Sequence, residues 1–289
     1  MTRELRAAPV VLLGAARSGT KLVRDSLALD AHIARVPYDI NYVWRFGNED
    51  LDHDELDAAS LTPGIAARIH SHLAGFTGDR PLLVEKTVSN CLRVPFVAGV
   101  LPDARYVHLV RDGRDVAESV VRQWHAKPDW AAVLRKARAF PLLQAPGYAT
   151  RYAAATFRRA AGRANGETIW GPRYAGMVAD LATEDLLTVC SRQWTRCVEL
   201  AMAGLATVAP ERVHTVRFEE FVNDPDTALK ELGSFLEIDF TPATIGQVAD
   251  IVSPAYIGKG RPLFAGAGQP QALTALTPGL DALGYDDRS

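Results

Sequence analysis

The chain has 289 residues, 48% of them hydrophobic and 23% charged, enough for one large α/β domain or one domain carrying an insertion. Its net charge of −2 excludes a protein that holds nucleic acid through overall charge. The three cysteines, Cys91, Cys190 and Cys197, form no C-x-x-C pair, which argues against a disulfide framework or a zinc site and points to a reducing cytosol.

In chain order, Arg3 and Arg6 precede the apolar run Val10-Val11-Leu12-Leu13 and then Ala15-Ala16. This imitates a signal peptide, but the run is short and flows into a glycine turn. It reads better as a strand buried on both faces. Gly14 to Thr20 is the turn, and Leu22, Val23, Ser26, Leu27 and Leu29 recur at helical spacing after it. Leu82-Leu83-Val84 and Tyr106 to Val110 are two further buried strands, with Val116, Val120 and Trp124 marking a helix after the latter. Val213 to Phe218 is a fourth strand. Asn223-Asp224-Pro225 starts the next helix, whose apolar face is Leu229, Leu232, Phe235 and Leu236. Strands alternating with helices imply α/β architecture, a P-loop-like parallel sheet with helices on both faces. From Gly258 onward the chain is rich in Gly and Pro and is expected to be loop. No apolar run approaches the ~18 residues of a membrane span.

Residues 125–175 break this rhythm. They carry Lys127, Arg135, Lys136, Arg138, Arg151, Arg158, Arg159, Arg163 and Arg173 against only Asp129 and Glu167. The expectation is a single domain, residues 1–289, with a basic helical insertion at about 125–175 over the site. Aromatic residues interleave with these charges, and Trp170-Gly171-Pro172-Arg173 reads as a rigid turn presenting an aromatic face and a guanidinium. An acidic acceptor or an anionic membrane surface would each suit such a segment; a solvated helical cover is the plain alternative.

Gly14-Ala15-Ala16-Arg17-Ser18-Gly19-Thr20-Lys21 lies between a strand and a helix, where free backbone N–H groups and the positive end of the helix cradle an anion. Ser18 and Thr20 add hydroxyls, Gly19 permits close approach, and Arg17 adds a planar fork. The spacing matches the glycines of G-x-x-x-x-G-K-[ST], but Thr20-Lys21 reverses the last pair, so the lysine and the magnesium-binding hydroxyl are both displaced. A second anion site follows a strand end at Arg111. Ser119 lies eight residues on, about two helical turns, so fork and hydroxyl can converge on one phosphate. Arg114 and Asp115 are expected to be solvated charges at a helix start, and His108 a packed core histidine.

The loop and the Arg111/Ser119 pair together resemble the sulfotransferases that use 3′-phosphoadenylyl sulfate (PAPS). The resemblance runs through about residues 9–125 and 175–265, and is nearer the bacterial and tyrosylprotein branch than the small-phenol branch. It implies that Arg17 contacts the 5′-phosphate and leaving group, with Ser18, Gly19, Thr20 and Lys21 around it, and that Arg111 and Ser119 bind the 3′-phosphate. Phe218-Glu219-Glu220 resembles a strand–helix segment of the family, and Lys259-Gly260-Arg261 the loop that closes on the nucleotide. Lys86 would touch a sulfuryl oxygen. Asp39 falls nearest the family's basic glutamate, with His70, His72 and Glu85 as substitutes. No metal is required, because the anhydride carries the activation. The implied acceptor is a hydroxyl or amine of a small molecule or glycan. An ATP- and magnesium-dependent P-loop kinase, and a nucleotide-binding module without catalysis, remain as alternatives.

Overall fold

The computed structural model describes residues 4–126, 169–265 and 268–285. The chain divides into two compact units, residues 122–170 and the remainder. Of the basic segment, residues 127–168 lie outside the described residues, and with them the expected helical insertion.

The described elements in chain order are β1 (Ala8–Leu13), α1 (Thr20–Leu27), β2 (Ile33–Arg35), α2 (Asn41–Trp44), α3 (Pro63–Leu73), β3 (Leu82–Glu85), α4 (Val94–Val100), β4 (Arg105–Val110) and α5 (Gly113–Trp124). Then follow α6 (Met177–Thr183), α7 (Leu186–Leu205), β5 (Val213–Arg217), α8 (Phe218–Asn223), α9 (Pro225–Leu236), α10 (Pro242–Ile251), α11 (Arg261–Phe264) and α12 (Pro270–Leu283).

The five strands form one sheet in the order β2-β3-β1-β4-β5, parallel throughout, with Val10 opposite Val84, Leu12 opposite Val107, and Leu109 opposite Val216. Val10 to Leu13 lie in the central strand and are completely buried, as the unbroken apolar run requires. Side chains alternate across a strand. Val11 and Leu13 therefore enter one core with Trp44, Ile69 and Phe96. Val10 and Leu12 enter the other with Val23, Phe221 and Leu229. Helices thus cover both faces, the architecture expected from the sequence.

The helix expected after residue 223 forms as read: Asp224 accepts a hydrogen bond from the Thr227 N–H at 3.1 Å, and Pro225 takes the first helical position. The C-terminal region differs from expectation. It holds α11 and the 14-residue α12 instead of loop. Its glycines and prolines sit where a helix accepts them: Pro270 opens α12, and Gly284 closes it at φ 67°. Ala272, Leu276, Gly279, Leu280 and Leu283 face inward at helical spacing, and the Thr195 hydroxyl on α7 donates to the Ala275 carbonyl at 2.6 Å. Apolar periodicity and burial outweigh composition, even with Pro278 inside the helix.

Candidate active site

Parallel strands leave a crevice at their carboxyl ends where the chain turns to opposite sides of the sheet. The end of β1 is such a point, since β1 lies between β3 and β4. The turn from Gly14 to Gly19 occupies it. Arg17 adopts φ 70° and Gly19 φ 94°, both in the left-handed region, which costs a non-glycine residue on the order of 1 kcal/mol. A side chain on Gly19 would place its Cβ 2.4 Å from the Phe218 ring, so the loop rests directly on the first residue of α8. Ser18 and Thr20 are buried, whereas Arg17 is exposed.

The two anion sites read from the sequence meet here. The Arg17 Nε donates to the Ser119 Oγ at 2.9 Å, across 102 residues. Arg111 Nη1 donates to the Arg17 carbonyl at 3.1 Å, and Nη2 to the Tyr256 carbonyl at 2.7 Å. The Arg111 guanidinium also lies over the Phe218 ring, 4.3 Å from its centroid. Its buried Nε has no hydrogen-bond partner among the described residues, a donor suited to an anion. Phe218 therefore underlies both halves. Glu219 locks the arrangement further, accepting from the Asp112 N–H at 3.0 Å and from the Tyr285 hydroxyl at 2.9 Å.

Three nucleotide-side expectations need amendment or sharpening. Lys21 is 77% exposed and pairs with Asp25, one turn along α1, at 2.7 Å. It is not among the groups that converge on the turn, because the helix carries residue 21 round to solvent. Arg114 and Asp115 are not solvated but buried; Arg114 makes a forked pair with Asp112 at 2.8–3.2 Å. The 256–261 segment does come to Arg111. There Gly260 is buried, Arg261 Nε lies 3.5 Å from Asp112, and Lys259 sits over the Tyr256 ring at 4.5 Å.

Beyond the end of β3 lies a second group of side chains. Lys86 is only 11% exposed, and its ammonium lies 3.7 Å from Asp39. Asp39 also accepts from the backbone N–H groups of Val88 and Asn41, each at 3.1 Å. Beneath this pair, Glu85 is fully buried and takes hydrogen bonds from Thr87 at 2.5 Å and Asn90 at 2.9 Å. Burial pushes its pKa up to about 7; the Thr87 bond opposes the rise and the Asp39 charge adds to it. Enclosed in this way, Glu85 cannot reach an acceptor. His70 is bonded to the Val100 carbonyl. His72 packs edge-on against Tyr42 and Phe76, with its pKa lowered by burial and then by Arg68. Of the four base candidates, Asp39 is the one paired with Lys86. His108 is buried on β4, and desolvation pulls its pKa down to about 4.

Sequence reading missed the residue that braces this side. Asp54 is buried and takes Arg45 at 2.8 Å, Arg173 at 2.9 Å, Asn41 at 3.1 Å and Ser89 at 3.0 Å. Its own N–H donates to the Arg173 carbonyl at 2.6 Å. Burial alone would raise its pKa, but the Arg173 and Arg93 charges hold it well below the ordinary carboxylate value. Arg93, itself buried, is drawn down to about 10 by desolvation and bonds Asn90 and Asn41. Arg173, read from the sequence as an acceptor ligand, is thus also an anchor. Its partner in that reading, Trp170, falls in the other compact unit.

The turn with Arg17 at the end of β1, Arg111 and Ser119 beyond β4, and a lysine–carboxylate pair beyond β3 lie at the carboxyl ends of the strands of a P-loop-like α/β sheet. The sequence profile of the sulfotransferase family matches residues 28–184 and 173–242, and the chain belongs to that family. The match begins beyond Gly14–Thr20, so the loop is evidence independent of it. No curated protein matches the chain in sequence.

Among solved structures, the sulfotransferase domain of the curacin biosynthetic pathway is 16% identical, with a TM-score of 0.58, over 98% of this chain and 99% of that one. The sulfotransferase domain of the Synechococcus PCC 7002 olefin synthase is 18% identical, with a TM-score of 0.56, over 99% and 98%. The sulfotransferase STF9 of Mycobacterium avium is 12% identical, with a TM-score of 0.57, over 96% and 77%. At such identities the likeness establishes a shared fold. None of the described helices is long and apolar enough to cross a membrane.

Proposed function

We propose that the chain transfers a sulfuryl group from PAPS to a hydroxyl or amine of a small-molecule or glycan acceptor, releasing adenosine 3′,5′-bisphosphate. The observation that carries this reading is the contact of Arg17 with Ser119, with Arg111 on the Arg17 carbonyl. A 5′-phosphosulfate cradle and a 3′-phosphate cradle are then one continuous surface. The acceptor oxygen or nitrogen attacks sulfur, its bond to sulfur forms as the bond from sulfur to the bridging oxygen breaks, and the acceptor proton passes to Asp39. Arg17 offsets charge growing on the leaving phosphate, and Lys86 a sulfuryl oxygen. The lysine also keeps Asp39 placed. Lys259, Gly260 and Arg261 close the nucleotide side.

The basic composition of residues 125–175 favours an acidic acceptor. Arg151, Arg158 and Arg159 are the charges to neutralise when testing this, since Arg173 braces Asp54. The experiment is turnover of PAPS against neutral and acidic acceptors, read as release of adenosine 3′,5′-bisphosphate, with Asp39→Asn beside the wild type. Wild-type release without magnesium, lowered ~100-fold in the variant with its nucleotide affinity kept, supports the reading. Release that requires magnesium and ATP points to a kinase. Tight nucleotide binding without turnover on any acceptor points to a binding module.

A further inference from the structure

Asp115 is 1% exposed and lies in the first turn of α5, where a carboxylate is favourable without further purpose. Here both of its oxygens are engaged from far along the chain. Oδ2 accepts the Gly258 N–H at 2.8 Å, and Oδ1 accepts the Gly260 N–H at 2.7 Å. These two residues flank Lys259. The carboxylate also stands 3.6 Å from the Arg111 guanidinium, whose Nη2 holds the Tyr256 carbonyl. Residues 256–260 are thereby fastened at three points to the start of α5 and the strand end before it.

The fastening has a steric condition. A Cβ on Gly260 would lie 2.0 Å from the Arg114 carbonyl oxygen and 2.7 Å from the Asp115 nitrogen. These are backbone atoms that cannot move aside as a flexible side chain would. Gly258 adopts φ 75°, so the loop can follow this path only with glycine at both flanking positions. A carboxylate is equally specific: two N–H donors need two acceptor oxygens, and an amide supplies one and turns a donor toward the other N–H.

We propose that Asp115 is a positioning residue for the nucleotide, clasping the Gly258 and Gly260 backbone so that Lys259 is presented beside Arg111 at the second anion cradle. The clasp acts on the 3′-phosphate through Lys259 and touches no reacting atom. This deepens the proposed PAPS reading and rests on it for the identity of the ligand, but the clasp itself has a readout that needs no ligand.

The test compares wild type, Asp115→Asn and Gly260→Ala. Affinities for adenosine 3′,5′-bisphosphate and for AMP are measured by titration, and trypsin cleavage of the Lys259–Gly260 bond is followed by mass spectrometry without nucleotide. Both variants should cut at Lys259 at least fivefold faster than wild type. Both should lose about tenfold in preference for the bisphosphate over AMP, and raise the KM for PAPS while keeping kcat at saturation. The second variant removes no charge, so agreement between the two assigns the effect to the clasp rather than to the carboxylate field. An unchanged cleavage rate and an unchanged preference in both variants overturn the proposal. An equal fall in affinity for both nucleotides also overturns it, because that is the mark of general packing damage. If wild type shows no preference for the bisphosphate, the PAPS reading fails, and the cleavage rates alone decide whether the clasp exists.

Discussion

The nucleotide side and the side around Lys86 are built by different means. On the nucleotide side Arg17 is exposed at the end of β1, and Arg111, buried at the end of β4, bonds the Arg17 carbonyl from 94 residues away. The Lys86 side rests on a network gathered by one buried carboxylate. Glu85 and Arg93 are enclosed, and Asp54 gathers Asn41 and Arg45, Ser89 and Arg173 from three separate stretches of chain. An anion carried by every substrate molecule calls for donors already in place when it arrives. A group that must stay in place through turnover calls for a braced framework. The contrast predicts different signatures for damage at exposed Arg17 and at buried Asp54: loss of rate without loss of stability at the first, and loss of stability first at the second.

The largest expected effect is at Asp54. Asp54→Ala leaves the Arg45 and Arg173 guanidinium groups without their carboxylate, and breaking one partner out of a buried ion pair costs ~3–5 kcal/mol. Denaturant unfolding should report a loss of that size; a loss below ~1 kcal/mol would mean that the network is not a brace. Arg17→Ala comes next and should act on the other observable. Removing one donor from a charge-stabilising site costs ~100- to 1000-fold in kcat, and the exposed position of Arg17 predicts an unfolding curve close to wild type. A kcat within threefold of wild type at saturating PAPS would remove Arg17 from the reaction.

The smallest effect is a pH dependence at Glu85. Its folded pKa is raised from 4.5 to about 7, so the folded chain binds more protons than the unfolded chain between those values. Stability from this group therefore falls as pH rises through that window, and the cost is complete above it. Glu85→Gln abolishes the titration. Between about pH 5 and pH 8 the wild-type Tm should fall relative to that of the variant, whatever offset the lost Thr87 or Asn90 bond imposes. Parallel Tm profiles would show that Glu85 does not titrate there.

How much of the molecule was legible in the sequence follows the same division. Four strands, the loop after β1 and the Arg111/Ser119 pair are contiguous signals, and each could be read from spacing alone. The meeting of Arg17 with Ser119 follows once the order of strands is known. Asp54 carries no local signal: it stands in Asp52-His53-Asp54-Glu55, which reads as a solvated acidic loop until distant arginines close on it. Asp115 and Arg114 read as surface charge because composition does not reveal burial. Lys21 misled in the other direction, since a motif position says nothing about which way the helix turns a side chain. The C-terminal helix was hidden by its glycines and prolines, although Ala272, Leu276, Gly279, Leu280 and Leu283 keep the helical period.

The central claim is that the cradles at Arg17 and Arg111 form one site for a nucleotide with both 5′- and 3′-anions. Calorimetric titration of adenosine 3′,5′-bisphosphate against AMP, with magnesium chelated, tests it most directly. A charge-assisted hydrogen bond contributes ~1.5–3 kcal/mol, so the bisphosphate should bind at least ~tenfold more tightly, and Arg111→Lys, which loses the fork, should erase most of that margin. Equal affinities for the two nucleotides, or binding that appears only when magnesium is restored, would contradict the account.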